Sequence, residues 1–119
     1  MASSVAHDAH NIVVVGTNDE DMALAVREIE RLQGGLVVTA NGAVVDNLPL
    51  PLGGIVSPLP ASEVAQTLER LDHTVAEMGV EIAHPFGFLS FLALSVVPSL
   101  KITDLGVLDV DAWKIVPVQ

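Results

Sequence analysis

Apolar positions along this chain change their spacing several times, and each change marks an element. Ile12, Val13, Val14 and Val15 form an unbroken β-branched run closed by Gly16, which predicts a buried strand. The small and polar stretch Val5 to Asn11 before it either extends that strand or pairs beside it. Thr17-Asn18-Asp19-Glu20 then fits a capping box, in which the Thr17 hydroxyl and the Glu20 carboxylate each satisfy a free amide at a helix start. The carboxylates of Asp19, Glu20 and Asp21 suit the positive end of the helix dipole. Met22, Val26, Ile29 and Leu32 fall on one helical face, with Arg27, Glu28, Glu30 and Arg31 covering the rest. Gly34-Gly35 supplies a left-handed stop.

The period then shortens. Leu36 to Ala40 and Ala43 to Leu48 flank Asn41-Gly42, the dipeptide best suited to a two-residue hairpin because both turn positions need positive φ. Pro49, Pro51, Gly53 and Gly54 interrupt regular structure, and Ser57-Pro58-Leu59-Pro60 leads into a second helix with Pro60 in its first turn. Its stripe is Val64, Leu68, Leu71, Val75 and Met78, ended by Gly79. Beyond Val80 the pattern weakens. His84-Pro85-Phe86-Gly87 reads as a turn, and Phe88 to Leu94 as a short buried helix or strand, with Pro98 stopping it. Lys101 to Thr103 and Val107 to Asp109 bracket the turn Asp104-Leu105-Gly106, and Trp113 to Val118 suits a final edge strand. No internal repeat or linker is visible. The order predicts an α+β fold, a mostly antiparallel or mixed sheet packed with two main helices in a single two-layer domain over residues 1–119.

Composition narrows the function classes. The chain has 119 residues, 50% of them hydrophobic and 17% charged, enough to bury a core within one domain. Five basic against fifteen acidic residues give a net charge of −10, which disfavours nucleic acid and anionic membrane surfaces as partners. The longest apolar run, Phe86 to Val97, is interrupted by Gly87, Ser90 and Ser95 and falls short of the roughly 20 residues a membrane span needs. No basic region precedes an apolar stretch at the start, so no signal peptide is expected and the cytoplasm is the expected location. The lack of cysteine excludes disulfides, thiolate metal sites and cysteine nucleophiles.

The densest polar cluster is His7-Asp8-Ala9-His10-Asn11. In an extended segment Asp8 and His10 share one face, with His7, Ala9 and Asn11 on the other. A carboxylate beside an imidazole orients it as a base or a metal ligand. A tetrahedral metal site, however, wants at least three convergent groups, which this strand cannot supply, so local hydrogen bonding is the plainer reading. The Gly16 to Glu20 junction lacks a glycine-rich phosphate pattern and is crowded with acid, so capping outweighs anion binding. His73, near Asp72 and Glu69, belongs to a solvated helix face, and His84 belongs to a turn. No nucleophile elbow, zincin motif or zinc-deaminase signature is present. Phe86, Phe88 and Phe91 suit core or interface anchors better than a stacking platform.

Beyond local chemistry, the string from Ser3 to Met22 resembles the opening of the C-terminal domain of bacterial adenine deaminases. The likeness continues through Gly34-Gly35, the hairpin, Leu48 to Pro51 and Gly53-Gly54, then Pro85-Phe86, Leu89 to Leu94 and Pro98 to Gly106. Ala9 and Ser95 stand where the family pattern has Ser and Pro, and Gly87-Phe88 is unusual at its turn. The resemblance implies part of an amidohydrolase-superfamily enzyme. In such an enzyme a separate (β/α)₈ barrel holds a divalent metal, such as Mn or Fe, and converts adenine to hypoxanthine and ammonia. The barrel motifs do not occur in these residues, so the resemblance implies no cofactor, no metal ligand and no catalytic residue here, and no activity for the chain alone. The onset of the likeness at Ser3, inside the family's opening string, favours a truncated or independently mobile coding unit.

Two functions follow. The chain is an accessory domain packed at the barrel mouth, with His7, Asp8, His10 and Asn11 as candidate substrate-binding residues for a purine ligand. Alternatively, it is a standalone interaction module whose apolar face drives homo-oligomerisation, in keeping with a mean hydropathy of +0.55 at a charge of −10. A small hydrolase centred on the His-Asp-x-His cluster is the third reading. The partners implied are an adenine-deaminase-type barrel or a second copy of the chain.

Overall fold

A computed structural model describes residues 1–118. The first helix, α1, spans Asp19–Leu32. Its N-cap is Asn18 rather than Thr17: Asn18 is extended, and its side-chain oxygen accepts from the Asp21 amide at 2.8 Å, the geometry a cap requires. The left-handed exit also falls one residue earlier than the glycine pair. Gln33 takes φ 60°, and its amide and that of Gly34 bond back to Glu30 and Ile29 carbonyls. Gly34 is required for a different reason. A Cβ there would lie 2.3 Å from the Gly54 Cα, so two backbone segments touch where only glycine fits.

Four strands make the main sheet: β1 (Ala2–Ser3), β2 (Val13–Val14), β3 (Gly35–Ala40) and β4 (Ala43–Pro49), in the spatial order β2-β1-β3-β4. Every pairing is antiparallel, so the sheet is not mixed. Asn41-Gly42 makes the expected turn, with positive φ at both residues and Ala40 opposite Ala43. The strand expected to be buried, Ile12 to Val15, is an edge strand of two residues flanked by Ile12 and Val15, 42% and 48% exposed. Between it and β3 lies the two-residue β1, an inner strand too short to carry any periodicity.

Alternation along β3 sends side chains to two separate cores. Leu36 and Val38 join Leu48, Leu71, Val75 and Phe86 on one face, while Val37 meets Ala2, Ala25 and Ile29 from α1 on the other. The second helix, α2 (Ala61–Glu77), supplies Leu71 and Val75, so α1 and α2 cover opposite faces. The α+β class holds. The layers, however, are helix, sheet and helix rather than the two expected, because β3 is buried on both sides. Pro60 occupies the N-cap position of α2, outside rather than in its first turn, and makes no side-chain cap.

Residues 84–87, expected as a turn, instead open a short helix, α3 (Pro85–Ser90), with Pro85 in the first position where its missing amide costs nothing. The helix stops at Ser90, well short of Leu94. A second sheet follows: β5 (Leu100–Thr103), β6 (Gly106–Asp109) and β7 (Lys114–Val116), an antiparallel meander separate from the first sheet. Asp104-Leu105 forms its first turn, between paired Thr103 and Gly106. No helix among the described residues is long and apolar enough to cross a membrane.

Candidate functional site

The polar string ahead of β2 is a turn, not a strand. Asp8 and His10 both take positive φ, 72° and 49°, and the His10 amide closes back on the Ala6 carbonyl at 2.8 Å. Asp8 and His10 therefore do not share the face that an extended backbone would give them. The turn is pinned at one end, where the His7 amide donates to the Ser90 carbonyl at 3.0 Å and the His7 ring rests on Phe91, centroids 4.4 Å apart. His7, Asp8, His10 and Asn11 are all exposed. The donor set does not fit a metal ion: among the described residues no three His, Asp or Glu side chains converge.

A histidine expected in a turn and an aspartate that the sequence does not single out come together instead. His84 Nδ1 lies 3.0 Å from Asp72 Oδ2, joining the start of α3 to the flank of α2. Asp72 follows Leu68 by one helical turn and so borders the buried stripe; its side chain is 27% exposed, against 88% for His84. His84 sits in the left-handed region at φ 53°, at the point where the chain turns from α2 into α3. The pairing depends on the path of residues 79–84, which no local pattern encodes. His73 lies on the solvated face as expected, 3.3 Å from Glu77.

His7, Asp72 and His84 all border one cleft of about 430 Å³, whose apolar lining includes Leu36, Leu50 and Leu68. Phe86 is buried beneath it, whereas Phe88 and Phe91 are 55% and 47% exposed, so the three phenylalanines divide between core and surface. The carboxylates that are electrostatically fixed lie elsewhere. Asn18 and the Gly42 and Asn41 amides hydrogen-bond to Asp21 and hold its carboxyl below the usual range. The Arg31 guanidinium does the same for Glu28, and that of Arg70 for Asp46. Asp21, read from the sequence as a dipole residue, in fact ties the start of α1 to the hairpin turn.

Fold and site together define a class: a helix–sheet–helix α+β domain with an attached meander and a histidine-rimmed cleft. The chain belongs to the adenine deaminase C-terminal domain family, whose model matches residues 1–114. It is 46% identical to the adenine deaminase of Dehalococcoides mccartyi over 119 residues, all of this chain but 21% of that protein. Identity reaches 50% with the adenine deaminase of Desulforamulus reducens, over 98% of this chain and 20% of the relative. It is also 50% with adenine deaminase 2 of Carboxydothermus hydrogenoformans, over 100% and 21%. The chain thus spans about a fifth of the length of the curated relatives it matches.

Proposed function

We propose that the chain serves as the C-terminal accessory domain of an adenine-deaminase-type enzyme, in which a separate barrel converts adenine to hypoxanthine and ammonia. The observation that carries this reading is the full-length match to a fifth of proteins named adenine deaminase. Deamination needs a metal-generated hydroxide and a proton donor for the leaving ammonia. On this reading the barrel brings both, including its divalent metal, and this chain is inactive alone. The exposed turn His7 to Asn11 faces the barrel mouth and contacts the purine through imidazole, carboxylate and amide groups, which match its ring nitrogens and amino group. The enzyme works in the cytoplasm.

A second reading, self-association without a barrel, is favoured by exposed apolar side chains on the meander and near it. Leu105, Trp113 and Ile102 are 79%, 69% and 61% exposed. On that reading the chain is a dimer or larger at micromolar concentration.

The deciding experiment mixes the purified chain with a Dehalococcoides mccartyi adenine deaminase lacking its own C-terminal fifth. The chain alone yields no hypoxanthine, the mixture does, and His7→Ala or Asp8→Ala lowers the rate well beyond any loss of stability. Turnover by the chain alone, with stoichiometric bound metal, overturns the accessory reading.

A further inference from the structure

The cleft bordered by His84 and Asp72 has the construction of a ligand site belonging to this domain itself. Its volume of about 430 Å³ lies within the roughly 300–1,000 Å³ typical of small-molecule sites. The walls are aliphatic, from Leu36, Leu50, Ile55, Val64 and Leu68, and the polar groups gather at the rim. No lysine or arginine lines it, and the chain carries a net charge of −10, so a phosphate-bearing ligand has no counter-charge there. A neutral ligand with flat apolar faces suits such walls.

The rim fixes the polar chemistry. The Asp72 carboxylate accepts only, so the His84 nitrogen 3.0 Å away is the one that carries the proton. In the neutral imidazole Nε2 is then a lone-pair acceptor, and at 88% exposure His84 is open to an incoming N–H donor. Asp72 thereby selects which partner the ring can take, the role a carboxylate plays behind many functional histidines.

We propose that this cleft binds a small neutral nitrogen heterocycle of the purine-base class, with a ligand N–H donating to His84 Nε2 and Asp72 acting as the positioning residue that fixes the tautomer. The choice of a purine base within the heterocycles rests on the adenine-deaminase reading above. The cleft's lack of a basic residue and its demand for a donor do not.

The test is an NMR titration of the 119-residue chain with adenine, following the His84 ring proton and the methyl groups of Val64 and Leu68. Adenine shifts these signals saturably. 9-Methylpurine, which has no N–H, binds at least tenfold more weakly. His84→Phe keeps a ring without the acceptor and loses at least tenfold in adenine affinity, with an unchanged helical circular dichroism spectrum. Asp72→Asn, which can donate to the ring and move its proton to Nε2, narrows or inverts the preference for adenine over 9-methylpurine. His73→Ala, one residue away on α2 and paired with Glu77, leaves binding as it was. Absence of saturable shifts, equal binding of both purines, or adenine affinity unaffected by His84→Phe overturns the proposal. Because no barrel takes part, this result is independent of the mixing experiment. Adenine binding without restored turnover sinks the accessory reading alone, and restored turnover without binding sinks this one alone.

Discussion

Gly34 and Asp21 show how single residues set the geometry of this domain. At Gly34, φ of 119° and a Cβ position 2.3 Å from the Gly54 Cα leave alanine no room, since both obstacles are backbone. Gly34→Ala is therefore expected to destabilise the protein by roughly 2–4 kcal/mol, read from urea unfolding midpoints at unchanged slope. Gly42, whose Cβ would meet nothing within 4 Å, isolates the strain component: Gly42→Ala costs less. Asp21 acts through hydrogen bonds. Its carboxyl, like those of Glu28 and Asp46, is held below the usual carboxylate range, so in moderate acid the unfolded chain binds protons that the folded chain does not. Stability is then level near neutral pH and is lost as pH falls from about 4 through the folded-state values. Thermal melts against pH check this. In Asp21→Asn the melting temperature is lower at pH 7 and its decline in acid is shallower.

Among the elements, α2 is held to the sheet by one buried stripe and one polar clasp. Arg70 reaches across to Asp46 on β4 with two bonds of 2.7 and 2.9 Å. Arg70→Ala is expected to lower the melting temperature modestly, and the difference shrinks in roughly 1 M salt as the charges are screened. Leu71→Ala, at a fully buried position of the stripe, costs about 2–5 kcal/mol and is indifferent to salt. The stripe of α2 from Val64 to Val75 and the Asn-Gly hairpin are legible in the sequence because each follows from local spacing and turn chemistry, although Met78 is exposed. The face of α1 is legible only at Ile29 and Leu32, since Ala25 and Glu28, outside the expected stripe, are the other buried positions. Of the two inner strands β3 is legible and β1 is not, since the two residues Ala2 and Ser3 carry no period and their pairing with Leu36 and Val37 is decided by tertiary contact. Of the site, the string His7 to Asn11 stands out by composition alone, but positive φ at Asp8 and His10 makes it a turn, which composition does not encode. Asp72 and His84, twelve positions apart, meet only because residues 79–84 turn α3 back onto α2.

For the whole molecule, the division is between a sheet covered on both faces and a meander with exposed apolar side chains on both sides. Ile102 and Ile115, on strands flanking β6, are 61% and 50% exposed. Mutual repulsion at a net charge of −10 opposes contact between such surfaces in free chains. Light scattering is thus expected to rise sharply as pH approaches the isoelectric point of about 4.4, earlier than circular dichroism reports unfolding. Trp113→Ser with Leu105→Ser moves that rise to higher protein concentration without changing the melting temperature; an unmoved rise would locate the sticky surface elsewhere.

The placement of β1 also has a mechanical consequence. Met1 exchanges hydrogen bonds with Val15 in both directions, and the two residues after it form one of the two inner strands of the sheet. A tensile load applied at Met1 is borne first by this short stretch, which has only two paired positions with each of β2 and β3. Once it gives, the sheet loses its keystone rather than a border, and α1 loses the Ala2 contact beneath Ile29. In a force spectrometer, pulling from Met1 should rupture the domain in one low-force event. Anchoring through residues 41 and 60, which leaves β1 unloaded, should require a larger force.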